Sequence, residues 1–146
     1  MATIVIVSGY FNPLHKGHVR KIQHAKQLGD ICVCVVNNDV QQHLKKGKII
    51  MDEQERLEIM TALRDVDRAV LSIDQDPTQS ETLRMLAKEY PNDSLIFANG
   101  GDRSERKTIP EAEVCDEYKI ELVFGVGGED KPQSSSNINK ALGHEA

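Results

Sequence analysis

The sequence predicts an α/β fold: about five parallel strands in one doubly wound sheet, within a single domain over residues 1–146. Three observations carry this. Short apolar runs rich in β-branched residues alternate with segments of helical apolar spacing along the whole chain. One run, Ile31–Val36, is apolar throughout, as a strand buried on both faces requires. The chain has 146 residues, enough for one domain with a core and too short for two. Strands separated by helices pair in parallel, with right-handed crossovers and helices on both faces, which is the Rossmann-like arrangement.

The elements follow in order. Thr3-Ile4-Val5-Ile6-Val7 is the first strand, and a turn runs from Ser8 to Leu14. A helix is expected from Gly17 to about Leu28, closed by Gly29 as its C′ residue. Ile31–Val36 is the second strand, and the stretch from Asn37 to Lys48 reads as a loop. Asp52 is an N-cap with an acid three residues on, and Leu57, Met60 and Leu63 recur at helical spacing behind it. Ala69 to Ile73 is the third strand. Pro77-Thr78 leads into a helix through Tyr90, with Leu83, Leu86 and Ala87 as its apolar stripe. Ser94–Ala98 is the fourth strand, and Pro110 opens a short helix containing Val114 and Cys115. Ile120 to Val126 is the fifth strand, and a last helix starts near Ser135.

Bulk properties exclude several function classes. The formal charge of −5, with only three Phe and three Tyr, argues against nonspecific nucleic-acid binding and against base stacking on aromatics. No apolar run approaches the ~20 residues of a membrane span. The N-terminus reads as a strand rather than as a basic segment before a signal-peptide core. A cytoplasmic protein that binds neither membrane nor nucleic acid is expected. Three cysteines make no disulfide framework. Cys32 and Cys34 are read as facing opposite sides of their strand and so unable to chelate together, and all three thiols are read as buried and reduced.

In sheets of this kind ligands bind at the carboxyl ends of strands. Gly9 to His18, Asn37 to Lys48, Asn99 to Arg106 and Gly125 to Ser136 follow strands one, two, four and five, and they hold most of the Gly, His, Lys and Ser that could grip a nucleotide. His15-Lys16-Gly17-His18 is the sharpest of these. Two imidazoles fall at a strand-to-helix crossing, where unpaired N–H groups and the helix dipole favour anions, and Gly17 lets a phosphate approach the backbone. This suggests phosphate chemistry without a Walker loop. Ser134-Ser135-Ser136 offers three hydroxyls at a helix start, where a plain N-cap would need one. Lys45-Lys46-Gly47-Lys48 is either a solvated basic loop or a phosphate grip, and Asn99-Gly100-Gly101-Asp102-Arg103 is either a plain turn or backbone amides facing a ligand.

The stretch Ser8-Gly9-Tyr10-Phe11-Asn12-Pro13-Leu14-His15-Lys16-Gly17-His18, with Ser134-Ser135-Ser136-Asn137-Ile138 near the C-terminus, resembles the signature of the cytidylyltransferase-like nucleotidylyltransferases. The resemblance implies transfer of CMP or AMP from a nucleoside triphosphate, with Mg²⁺, to a small phosphorylated acceptor. It implies catalysis by His15, His18 and Lys46, and nucleotide binding by Gly9, Tyr10, Phe11, Asn12, Gly17, Arg64 and Ser134 to Ser136. Asp39, Lys48, Gly101, Asp102 and Arg103 would hold the acceptor. Two branches are mixed. Asn38-Asp39 through Lys48, Asp76-Pro77-Thr78 and Gly100-Gly101-Asp102 look most like heptose-1-phosphate adenylyltransferase domains. Arg64-Asp65-Val66-Asp67 looks more like glycerol-3-phosphate cytidylyltransferases and gives a slight lean to CTP. The resemblance further implies a homodimer. A nucleotide-binding module without turnover, and an RNA- or partner-binding domain, are the alternatives, and the intact His pair and the negative charge weigh against each in turn.

Overall fold

The computed structural model describes residues 1–44, 48–98 and 110–124. The elements are β1 (Thr3–Gly9), α1 (Lys16–Lys26), β2 (Ile31–Val36), α2 (Asp39–Leu44), α3 (Glu53–Thr61), β3 (Arg68–Leu71), α4 (Ser80–Glu89), β4 (Ser94–Ala98), α5 (Ala112–Tyr118) and β5 (Glu121–Val123). All strand pairs are parallel, in the order β3-β2-β1-β4-β5. The chain winds outward from β1 to β3, then crosses to the other side of β1 for β4. The order therefore reverses between β1 and β4, the switch point where such sheets open a crevice at their carboxyl edge.

Alternation along the strands divides the core. Val5 and Val7 of β1, with Cys32, Cys34 and Val36 of β2, pack under Ile22 and Ala25 of α1 and Met60 of α3. Ile4, Ile6, Val33 and Val35 face the other way and pack with Leu83 and Leu86 of α4 and Val114 and Cys115 of α5. The two layers of helices leave Ile4, Val5, Ile6 and Val33 with no exposure, as a parallel sheet covered on both faces requires.

Several expectations are corrected. Cys32 and Cys34 lie on the same face, in one core cluster. Residues two apart on a strand share a face, and the opposite assignment ignored that period. Burial pushes the Cys32 thiol up to about 11 and raises Cys34 as well, so both are inert at neutral pH. Gly29 is not the C′ residue of α1, whose C-cap is Gln27. Its constraint is close approach: a Cβ there would lie 2.6 Å from Val5 Cγ2 and 2.8 Å from the Thr3 carbonyl oxygen.

The stretch after β2 is not all loop. Asn38 and Gln41 form a reciprocal box that starts α2: Asn38 Oδ1 accepts from Gln41 N–H at 2.8 Å, and Gln41 Oε1 accepts from Asn38 N–H at 3.0 Å. β3 begins at Arg68 and ends at Leu71, and Ile73 is exposed beyond it. β5 is short, and the last helix expected near Ser135 lies outside the described residues.

One side chain fastens the carboxyl edge. Arg56 of α3 has no solvent exposure. Its Nη1 donates to the carbonyls of Tyr10, at 2.8 Å, and Asn37. Its Nε donates to Met51 O at 2.9 Å and its Nη2 to Asp39 Oδ1 at 2.7 Å. It therefore ties the loop after β1, the end of β2, α2 and the segment before α3. Asn12 extends the tie: its Oδ1 accepts from the N–H groups of Ile50 and Met51, and its Nδ2 donates to the Lys48 carbonyl. Arg56→Met should cost roughly 3–5 kcal/mol, because one carboxylate and three carbonyls lose a buried charged donor. Urea unfolding of the pure variant checks it, and a midpoint equal to wild type would contradict the account.

Candidate active site

The site is built on the loop from Gly9 to His18, at the carboxyl end of β1. His15 is the N-cap of α1, extended at φ −142° and ψ 174°. Its Nδ1 accepts from Gly17 N–H at 3.1 Å, and His18 Nδ1 accepts from His15 N–H at 3.2 Å. This is a capping box in which imidazoles replace the usual hydroxyl and carboxylate. The two rings stack, with centroids 3.8 Å apart and planes at 25°. The spacing of the pair follows from the helix: the cap's ring reaches the N–H of the second helical residue, and the third residue's ring reaches back to the N–H of the cap.

The cap selects the tautomer of each ring. A ring nitrogen that accepts a backbone N–H carries no proton, so each neutral imidazole holds its hydrogen on Nε2. His15 Nε2 is buried and has no hydrogen-bond partner among the described residues. Burial pushes the His15 pKa below the ordinary histidine value, toward the neutral form. Protonation of Nδ1 would also break the cap. Burial and the cap thus both favour a neutral His15 at the helix start.

Phe11 supports the pair from below. It is 3% exposed, with φ 53°, and its ring meets His18 edge-on at 4.9 Å. Gly9 answers to the same ring, since a Cβ there would stand 2.8 Å from Phe11 Cζ. The side chains of Phe11 and Asn12, both expected at the nucleotide, are turned into the structure. Phe11 is core, and Asn12 is 1% exposed with its side chain committed to the backbone of residues 48–51. Tyr10 is half-buried, and desolvation raises its hydroxyl, with Arg56 acting in opposition.

The remaining candidates divide by position. Asp39 stands at the carboxyl edge, with Oδ1 held by Arg56 and its N–H on Glu53 Oε1 at 2.9 Å. Lys48 is exposed on the same edge, its carbonyl fixed by Asn12. Arg64 is a correction. It is exposed in the turn before β3, where Asp67 binds Cys32 at the start of β2. That is the amino edge, a full strand length from the His pair, because α3 returns the chain across the sheet. Lys46, Gly101, Asp102, Arg103, Ser134, Ser135 and Ser136 lie outside the described residues.

Sequence reasoning missed Arg56 as the fastening residue. It also missed Lys21, one helical turn beyond His18, whose Nζ lies 3.4 Å from the Ser8 carbonyl at the end of β1. The i, i+3 spacing from His18 was the available signal. Among the described residues no three His, Cys, Asp or Glu side chains are grouped to hold a metal ion. No described helix is long and apolar enough to cross a membrane. A cleft lined by Tyr90, Pro91, Tyr118 and Lys119 lies at the opposite, amino edge and shares no residue with the His loop.

Residues 6–141 match the family model for cytidylyltransferase-like proteins. The bifunctional protein HldE of Geobacter metallireducens is 32% identical over 146 residues, covering 97% of this chain and 28% of that protein. HldE of Pelobacter propionicus is 34% identical over 139 residues, covering 92% of this chain and 26% of its own length. The chain thus spans only 26–28% of the length of these two relatives. The crystal structure of the lipopolysaccharide core biosynthesis protein from Thermoplasma volcanium superposes with a TM-score of 0.66 at 28% identity, over 89% of this chain and 100% of that one. A signature loop at the switch point of a five-stranded parallel sheet, matched by a family model over nearly the whole sequence, places this chain in the cytidylyltransferase-like family of nucleotidyltransferases.

Proposed function

We propose that the chain transfers AMP from ATP to a sugar 1-phosphate of the heptose type and releases pyrophosphate. The observation that carries the transfer chemistry is the pair of stacked imidazoles held through their Nδ1 atoms at the start of α1, which keeps each Nε2 out of the cap. An oxygen of the acceptor phosphate attacks the α-phosphorus, the bond to the β-phosphate oxygen breaks, and the electron pair leaves with pyrophosphate. No proton has to move at the nucleophile, which is already an anion. Catalysis then rests on fixed donors aimed at oxygens whose charge grows in the transition state. His15 and His18 supply them, with the N–H groups of α1 behind. Lys46 and the serines Ser134 to Ser136 would add charge and hydroxyls along the triphosphate, and Asp39, Lys48, Gly101, Asp102 and Arg103 would face the acceptor. The described side chains do not form a resident metal site. Mg²⁺ enters as part of the triphosphate substrate, held by phosphate oxygens and water.

ATP is favoured over CTP on two grounds. The lean to CTP rested on Arg64, which sits at the wrong edge of the sheet. The resemblance of Asn38-Asp39 through Lys48 to heptose-1-phosphate adenylyltransferases agrees with relatives named HldE. At equal concentration with Mg²⁺, ATP should raise the melting midpoint more than CTP, by mass action on the folded state. Pyrophosphate release with ATP and a heptose 1-phosphate should exceed that with CTP, and the reverse order in both assays would return the enzyme to the cytidylyl branch.

His15→Asn separates capping from catalysis. Asparagine caps a helix well but carries no donor where Nε2–H stands. The variant should fold with a nearly unchanged midpoint and lose at least ~10²-fold in kcat. The same variant reports on protonation. A histidine whose folded pKa lies below its unfolded value contributes stability that is complete above about pH 6.5 and lost as pH falls. Between pH 7 and 5 the wild type should therefore lose more stability than His15→Asn, and parallel pH profiles would contradict the burial of a neutral ring.

The cytoplasm, where ATP is made, suits this reaction, and the family resemblance favours an isologous homodimer. Light scattering at micromolar concentration should give twice the 16.3 kDa chain mass. A mass at the single-chain value, unchanged by nucleotide, removes the dimer and leaves the chemistry standing.

A further inference from the structure

The carboxyl edge carries three buried acceptor oxygens that the transfer chemistry does not use. Gln42 Oε1, Gln79 Oε1 and Glu111 Oε2 have no hydrogen-bond partner among the described residues. Their side chains are 2%, 4% and 9% exposed. Buried polar atoms are paired in the great majority of cases, so three orphans on one side of a molecule call for an explanation.

They belong to one neighbourhood. Gln41 Nε2 donates to the carbonyls of Asp76 and Thr78, which brings α2 against the segment leading to α4. On α2, Asp39 turns to Arg56 and Gln41 to that segment, and Gln42 falls between them by the 100° step of the helix. Gln79 is the N-cap residue of α4, and its backbone N–H points at the Glu111 carboxyl. Neither Gln79 nor Glu111 uses its side chain to cap the helix it precedes. Asp74 does that work for α4, accepting from the N–H groups of Glu81 and Thr82. The two side chains are thus released from the roles their positions would give them.

The ionised oxygens of a phosphate ester do not satisfy these oxygens, because they too are acceptors. A hydroxyl can. We propose that Gln42, Gln79 and Glu111 read the hydroxyl groups of the acceptor, and so set its class as a polyhydroxylated phosphate ester; this rests on the reading of the chain as a nucleotidyltransferase for a sugar phosphate. The donors of α1 and the acceptors of this edge then divide the substrates: phosphates at the imidazoles, the carbon skeleton at the glutamines. Burial, with Asp74 and Asp76 nearby, holds the Glu111 carboxyl above its ordinary range. A hydroxyl donating to Oε2 is what would make the ionised form comfortable there.

The test is calorimetric binding to the full chain. Mannose 1-phosphate, inorganic phosphate and phosphoethanolamine are titrated in the presence of Mg²⁺ and α,β-methylene-ATP. Wild type should bind mannose 1-phosphate at least about tenfold tighter than the other two, since inorganic phosphate has no hydroxyl-bearing skeleton and phosphoethanolamine brings one charged ammonium on a short chain in place of several hydroxyls. Gln42→Leu and Gln79→Leu should each weaken mannose 1-phosphate by about tenfold and leave inorganic phosphate unchanged. Removing an orphaned acceptor does not endanger folding, and Glu111→Gln, which keeps the shape, gives a third readout should either leucine variant misfold. The proposal is overturned if the variants bind mannose 1-phosphate as wild type does, or if wild type prefers phosphoethanolamine or does not discriminate among the three. Loss of α,β-methylene-ATP binding with mannose 1-phosphate binding intact would instead overturn the transfer reading and leave this one standing.

Discussion

A buried guanidinium governs the working edge of this molecule. Arg56 brings a full charge into a site with no solvent exposure, and a charge there is tolerable only when every direction it points holds an acceptor. Tyr10, Asn37 and Met51 supply carbonyls and Asp39 a carboxylate, from three stretches: the loop after β1, the end of β2 running into α2, and the segment just before α3. Those carbonyls lie at the ends of β1 and β2 or in loops, where no sheet partner claims them, so the arginine needs them as much as they need it. The planar fork matters. A lysine has no fixed geometry that reaches four acceptors in a plane, so the exchange would keep the charge and lose the tie. The His loop inherits its position from this contact, because the Tyr10 carbonyl lies one residue before Phe11, on which His18 rests.

The legibility of the chain followed the strength of its local signals. β2 and β4 fall where the apolar runs put them, since a strand buried on both faces writes itself in β-branched residues. The third strand slipped because Ile73 looks like its last residue but is half exposed beyond it. α2 was hidden by its position. A short polar helix after a strand reads as a ligand loop, although Asn38 and Gln41 stand at the spacing of a capping box. The faces of Cys32 and Cys34 were misjudged where the two-residue period gives them directly.

At the site, the residues that the signature gathers divide by depth. His15 and His18 are where a strand–turn–helix signature puts them, at the switch point. Phe11, Asn12 and Gly9 belong to the same signature for structural reasons: a ring under the imidazoles, an amide that holds the next loop, and a missing Cβ that lets the ring in. A linear pattern cannot distinguish a residue that touches a ligand from one that holds the residue that does. Arg56 was less legible still. A charged side chain on a helix with acids around it reads as solvent-facing, and its burial depends on carbonyls that converge only in the folded chain.

The geometry of the His pair works against double protonation. Two cations 3.8 Å apart would repel strongly in a partly buried site, and each protonation would also cost the backbone hydrogen bond made by its Nδ1. The cap therefore works as a lock on charge state as well as on geometry. Each ring keeps its Nδ1 lone pair toward the helix backbone, and the helix start adds its own partial positive charge behind them. Donors held in this way need not rotate or shed a hydration shell suited to a full cation. Preorganisation of this kind is lost if either ring is freed, because the backbone N–H groups that define the tautomers are the same ones that define where α1 begins.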